Sequence, residues 1–114
     1  MQNEAPIVQK TYDFYRELYL SVEKMPKKDK YTLGEKSQKT TLDFLELLIS
    51  ASYSKSKLLI LEKASAKLEV LKILIRLANE IKATDTKKYL HLEEILQEIG
   101  KMLGGWIRST KASL

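Results

Sequence analysis

Between Leu61 and Ala78 an apolar residue falls at every third or fourth position: Leu61, Ala64, Leu68, Leu71, Ile75 and Ala78. Only a backbone with 3.6 residues per turn brings such positions into one line. The strict three-four alternation is the seam of a helical bundle or coiled coil. The spacing predicts a helix from about Leu58 to Lys82. The same segment carries a second apolar row, Ala66, Val70, Ile73 and Leu77, on roughly the opposite side. A bundle core takes up one face of a peripheral helix, so the second row needs another chain or stays wet. Apolar surface of that length is seldom left bare on a monomer. The row therefore predicts a homo-oligomer with Val70, Ile73 and Leu77 in its interface.

Three further helices are legible. Residues 1–5 read as a loose terminus, and Pro6 suits a first helical turn. From there Val8, Tyr12, Tyr15, Leu18, Tyr19, Val22 and Met25 keep helical spacing until Pro26 ends the run. The lysine-rich KKDK at 27–30 reads as a solvated connector. Thr32 and Glu35 have capping-box spacing, which predicts a second helix from near Leu33, with Thr41, Phe44, Leu45, Leu48, Ala51 and Ser52 inward. Asp85 is the better cap of a last helix opening at Thr86. That helix carries Leu92, Ile95, Ile99, Met102 and Trp106 as its stripe, thickened by Leu96, Leu103 and Ile107, before a frayed STKASL tail. Gly100 and Gly104 lie four apart within it. Each costs about 0.5–1 kcal/mol against Ala, which predicts close approach of another backbone. Trp106 is expected to be buried.

No strand pattern occurs, and no linker or low-complexity tract divides the chain. Its 114 residues fit one domain, 1–114, with a core over about 7–109. The fold class expected is all-α, an up-down-up-down antiparallel four-helix bundle, because short connections make successive helices antiparallel. Cysteine is absent, which excludes disulfides and thiol chemistry and fits the cytoplasm. The N-terminus has no apolar stretch of a signal peptide, and no run approaches the roughly 20 residues that span a bilayer. No membrane role is expected.

Catalytic and metal chemistry lacks its residues. A di-iron bundle needs two Glu-x-x-His motifs, yet there is one histidine, His91, with Lys88 three positions before it. Glu93 and Glu94 are adjacent and point about 100° apart on a helix. Arg76 is too far from His91 for the Arg-His spacing of bundle ribonucleases. Gly104-Gly105 follows no strand, so it is no phosphate loop. His91 reads as a surface residue, and neither an enzyme nor a cofactor is expected.

The charge points elsewhere. Twenty basic residues against fifteen acidic ones give a formal net charge of +5. Lys72 and Arg76 stand one turn apart between the two apolar rows of the third helix, and Lys63 and Lys67 form a basic pair on its other flank. Pairing of Glu69 with Lys72 and of Arg76 with Glu80 would add a few tenths of a kcal/mol each along the helix. Repeated around an oligomer, the basic pairs would form a ring of positive potential. Lys101 and Arg108 add charge on the last helix. Lys67, Lys72, Arg76 and Arg108 are the nucleic-acid-binding candidates. None is arranged to read base edges. A bundle that binds only protein is the rival reading.

Four segments carry a family resemblance: MPKKDKYTLGEK at 25–36, FLELLISASY at 44–53, KLEVLKILIRLANEIK at 67–82 and EIGKMLGGWIRS at 98–109. Together they resemble the Avd family, the accessory variability determinant proteins of diversity-generating retroelements, over about residues 7–109. The resemblance implies a basic homopentameric barrel of four-helix bundles. It also implies association with the retroelement's reverse transcriptase and with template RNA, and no catalysis by the protein itself; the basic surface, being backbone-directed, adds DNA as a further expected ligand. Lys72 and Arg76 match the family's Leu-basic-x-x-x-basic positions on the third helix. A looser resemblance runs to bundle proteins encoded in ribosomal-RNA intervening sequences.

Overall fold

The computed structural model describes residues 5–114; the expected loose terminus lies largely outside the described residues. Four long helices follow in order, α1 (Ala5–Glu23), α2 (Glu35–Tyr53), α3 (Lys57–Glu80) and α4 (Thr86–Ala112). No strand occurs among the described residues. Each helix packs on two others: α1 and α3 both touch α2 and α4. The molecule measures 46 × 22 × 21 Å. Two ion pairs tie α1 to α4, Lys10–Glu98 at 2.6 Å and Glu17–Lys88 at 2.7 Å.

The α3 seam lies as its spacing predicts. Leu61, Ala64, Leu68, Leu71, Ile75 and Ala78 are all buried. Opposite them come Phe14 and Leu18 from α1, Phe44 and Leu48 from α2, and Leu92, Leu96, Ile99 and Leu103 from α4. Burying one such side chain contributes roughly 1.5–3 kcal/mol.

On α1 the inward face is only partly the one expected: Leu18, Val22 and Met25 of the expected row are buried, and the tyrosines are not. Ile7, Thr11, Phe14, Leu18, Ser21 and Val22 face the core, while Tyr12 and Tyr19 are 54% and 48% exposed. Val8, Tyr12, Tyr15 and Tyr19 share helical spacing with the true core positions but sit beside them. The buried Thr11 hydroxyl donates to the Ile7 carbonyl, which satisfies it inside its own helix.

Thr32 and Glu35 form no capping box. The chain turns at Pro26, begins a helical turn at Lys27–Asp29, and passes through a π-helical turn, Lys30–Gly34, directly into α2. The Thr32 hydroxyl donates to the Lys28 and Asp29 carbonyls instead. With the helix already running, no free N-terminal N–H remains at residue 32 to cap. Gly34 allows the wide turn to lie against α1. A Cβ there would stand 2.7 Å from Val22 Cγ1 and 3.3 Å from Met25 Sδ. Within α2, Thr41, Phe44, Leu48 and Ala51 are buried as expected, and Leu45 and Ser52 only half so. The Lys57 ammonium donates to the Ala51 and Ser52 carbonyls and closes the C-terminus of α2.

The end of α3 turns through Lys82, whose φ of 65° is left-handed. The amides of Ala83 and Thr84 both donate back to the Ala78 carbonyl. Asp85 then caps α4 as predicted, its carboxylate accepting from the Lys88 amide at 2.8 Å. The buried line of α4 is Leu92, Leu96, Ile99 and Leu103, all within the expected stripe and its thickening, with the centre shifted toward Leu96 and Leu103. Ile95, Met102 and Trp106 are half-buried, so the indole is not a core anchor. The glycines meet no second backbone: side chains, not main chain, stand nearest to Gly100 and Gly104. Nor does STKASL fray, since α4 continues to Ala112.

Candidate nucleic-acid interface

Helix α3 presents three different surfaces around its circumference. Toward α4 stand Lys72 and Arg76. The Lys72 ammonium pairs with Glu69 at 3.2 Å, as the i,i+3 spacing predicts. It also rests over α4, 3.7 Å from where a Gly100 Cβ would be. Arg76 is exposed and does not form the expected pair with Glu80. It lies close enough to Tyr89 to act on its phenol. Burial pushes that group up from its ordinary 10.0, Glu93 adds to the rise, and Arg76 opposes it.

Arg108 lies along the same side of α4. Its guanidinium folds back over its own helix, Nη1 3.3 Å from a Cβ position on Gly104 and Nη2 3.9 Å from one on Gly105. Gly100 and Gly104 are four residues apart, hence about 6 Å along the axis. The fold thus gathers Lys72, Arg76 and Arg108 on the α3–α4 side.

Lys67 is not among them. It stands on the α2 side of α3, in an ion pair with Asp43 at 3.5 Å. Asp43 also meets Lys39 at 3.2 Å. The hydrogen bond from Lys39, with help from Lys67, holds the Asp43 carboxyl below its ordinary value of 3.8. The four basic candidates therefore split into two flanks, three and one.

Between those flanks runs the outer apolar row. Val70, Ile73 and Leu77 are 43%, 54% and 39% exposed. Leu59 and Ile81, which the sequence reading passed over, lengthen the row at its two ends. They were legible in principle, since Leu59 continues the Ala66–Val70–Ile73–Leu77 line at helical spacing.

His91 sits at the surface, as expected, with Nε2 3.4 Å from Glu17 Oε1. That carboxylate accepts from Lys88, which holds it below its ordinary value of 4.5; His91 and Arg16 act the same way. Among the described residues no three histidines or carboxylates stand together as a metal cage. A cleft of about 450 Å³ opens at one end of the molecule between Pro6, Ile7, Ser52, Met102 and Trp106. Among the described residues no helix is long and apolar enough to cross a membrane.

Fold and surface together define an all-α helical protein with a cationic row beside an uncovered apolar ridge. The chain belongs to the bAvd-like family, whose model matches residues 6–110. It is thereby an accessory protein of the diversity-generating retroelement type, in a family to which no catalysis is attributed. No curated protein matches the chain.

Proposed function

We propose that this chain is a single-domain, up-down-up-down four-helix bundle that serves in the cytoplasm as a non-catalytic accessory protein of a diversity-generating retroelement. It binds the reverse transcriptase and the template RNA during mutagenic cDNA synthesis. The observation that carries this reading is the bAvd-like match over residues 6–110. The helix order draws support from the ion pairs of α1 and α4, where Lys10 meets Glu98 and the later Glu17 meets the earlier Lys88.

Nucleic acid contacts the α3–α4 side through Lys72 and Arg76, with Arg108 on the same side and Lys67 assisting from the other flank. Binding is directed at phosphates, so it is electrostatic and tolerant of sequence. The chain assembles as a homopentamer through Val70, Ile73 and Leu77. A net charge of +5 per chain is then repeated around the assembly.

The test is binding of structured RNA, single strands and duplex DNA as salt is raised. Affinity should fall steeply between about 50 and 200 mM salt as counterions are released. Lys72→Ala with Arg76→Ala should weaken every ligand alike and flatten the salt slope while the assembled mass is kept. An unchanged slope discards this face. No binding by the parent at the lowest salt discards direct nucleic-acid contact and leaves the polymerase as partner, which a pull-down with and without nuclease reads separately.

A further inference from the structure

The α3 ridge is not the only uncovered apolar face. Tyr12, Tyr15 and Tyr19 recur at helical spacing on α1, the first and last of them exposed. Leu42, Ile49 and Tyr53 do the same on α2, all exposed. The flanks of both helices are fixed by their ion pairs. Lys10 and Glu17 turn one flank of α1 toward α4, and the tyrosines lie on the other flank. Asp43 turns one flank of α2 toward Lys67 of α3, and Leu42 and Ile49 lie on the other. Since α1 and α2 pack together, the two rows look out from the same groove.

We infer that this groove seats the α3 ridge of a second copy of the chain. The inference rests on the assembly reading above and names the surface that the ridge meets. Shape favours it: the ridge is one helix wide and runs about 27 Å from Leu59 to Leu77, and the groove lies between two helices. Charge favours it as well. Glu62 and Glu69 edge the ridge on its α4 side, nearer to it around the helix than Arg76 and Lys72 beyond them, and Lys63 and Lys67 edge it on its α2 side. At mid-height the groove is edged by exposed Arg16 beyond the tyrosines and exposed Glu46 beyond Leu42. One direction of docking lays the glutamate edge over Arg16 and the lysine edge over Glu46. Two ridges packed back to back and antiparallel would instead be related by a twofold axis across them. That axis sets glutamate against glutamate and lysine against lysine, a repulsive arrangement. A ridge and a groove on different sides of one chain form a head-to-tail contact, which closes as a ring rather than as a pair.

Two double variants test the pairing by light scattering, with circular dichroism reporting that the helices remain. One damages the ridge (Ile73→Glu, Leu77→Glu), the other the groove (Tyr12→Glu, Leu42→Glu). Each alone should fall from the mass of the parent assembly to that of a single chain. Mixed in equal amounts they should give a two-chain mass and nothing larger, because only one intact ridge and one intact groove meet. If helicity drops in either, Ile73→Ser and Leu42→Ser replace them and the readout becomes the concentration at which the mass halves. A groove variant that keeps the parent mass, or a mixture that stays at one chain, overturns the inference and leaves the ridge as interface with some other surface. A ridge variant that keeps the parent mass removes the assembly reading as well.

Discussion

Val22 Cγ1 occupies the place where a side chain on residue 34 would begin, 2.7 Å from a Cβ built on Gly34. The contact holds the π-helical turn against α1, and both partners are buried. Gly34→Ala should therefore destabilise the protein by roughly 1–3 kcal/mol, the usual cost of forcing atoms into a filled space. Gly100→Ala is the control. Its nearest neighbours are 3.7 and 3.8 Å away, so ordinary helix propensity governs and stability should rise by about 0.5–1 kcal/mol. Urea melts of both variants decide it, and two shifts of the same sign would refute the contrast.

Two hydroxyl- or carboxylate-bearing residues look like caps in the sequence, and one of them is. Asp85→Ala should lose about 1 kcal/mol, because the Lys88 amide loses its acceptor. Thr32→Ala should lose less, since its hydroxyl only adds a bond to carbonyls already inside a continuous helix. Thermal melts in one buffer rank the pair, and an equal loss at both would mean that Thr32 does cap.

Trp106 is half-buried beside Met102 at the terminal cleft. Its emission should be quenched readily by acrylamide. Trp106→Ala should cost about 1–2 kcal/mol, below the 2–5 kcal/mol expected for a fully buried leucine such as Leu96→Ala. If Trp106→Ala proves the more damaging of the two, the indole is a core anchor after all.

The Glu17 carboxyl is held below its ordinary 4.5, first by the hydrogen bond from Lys88. A depressed carboxyl contributes stability that is full above the unfolded value and is lost as pH falls through the lower folded value. Glu17→Gln should thus lower the melting temperature at neutral pH, and the gap to the parent should close as pH falls below about 4. A gap that is constant with pH would assign the effect to packing.

The two basic flanks of α3 should respond differently to substitution. Lys67 is engaged with Asp43, whereas Arg76 is exposed on the α4 side. Arg76→Ala should lower RNA affinity at low salt more than Lys67→Ala, by roughly one further phosphate contact's share of the salt slope. The reverse order would move the binding face to the α2 side.

How far the fold could be read depended on whether a pattern had one solution. The α3 seam did: six apolar positions in strict alternation admit one inward face, and all six are buried. Asp85 did too, since a capping carboxylate there meets a free amide. On α1 the pattern had two solutions, because Tyr12 and Tyr19 are apolar enough to compete with Ile7 and Phe14, and only the packing of α2 and α4 decides between them. Thr32 and Glu35 had the right spacing for a cap, but nothing local reveals that the helix has already begun at Lys27. The glycines of α4 pointed to a second backbone that does not come: the Lys72 ammonium lies over Gly100, and the helix's own Arg108 guanidinium folds over Gly104. Lys72 and Arg76 were legible as neighbours from their spacing alone. That Lys67 stands apart from them depends on Asp43 in another helix, a partner that spacing within α3 cannot show.

The wide turn at Lys30–Gly34 also fixes how the sequence can change in length. A π turn holds one residue more than the α turn it replaces. Deleting any one residue between 30 and 34 would let the turn close into ordinary helix and rotate everything before it by about 100° around the α2 axis. Pro26 and Met25 would then swing away from the position from which α1 must be reached. The corner behaves as a spacer with one permitted length: its exposed side chains, Tyr31 and Thr32, are open to substitution, while Leu33 and Gly34 and the residue count are not.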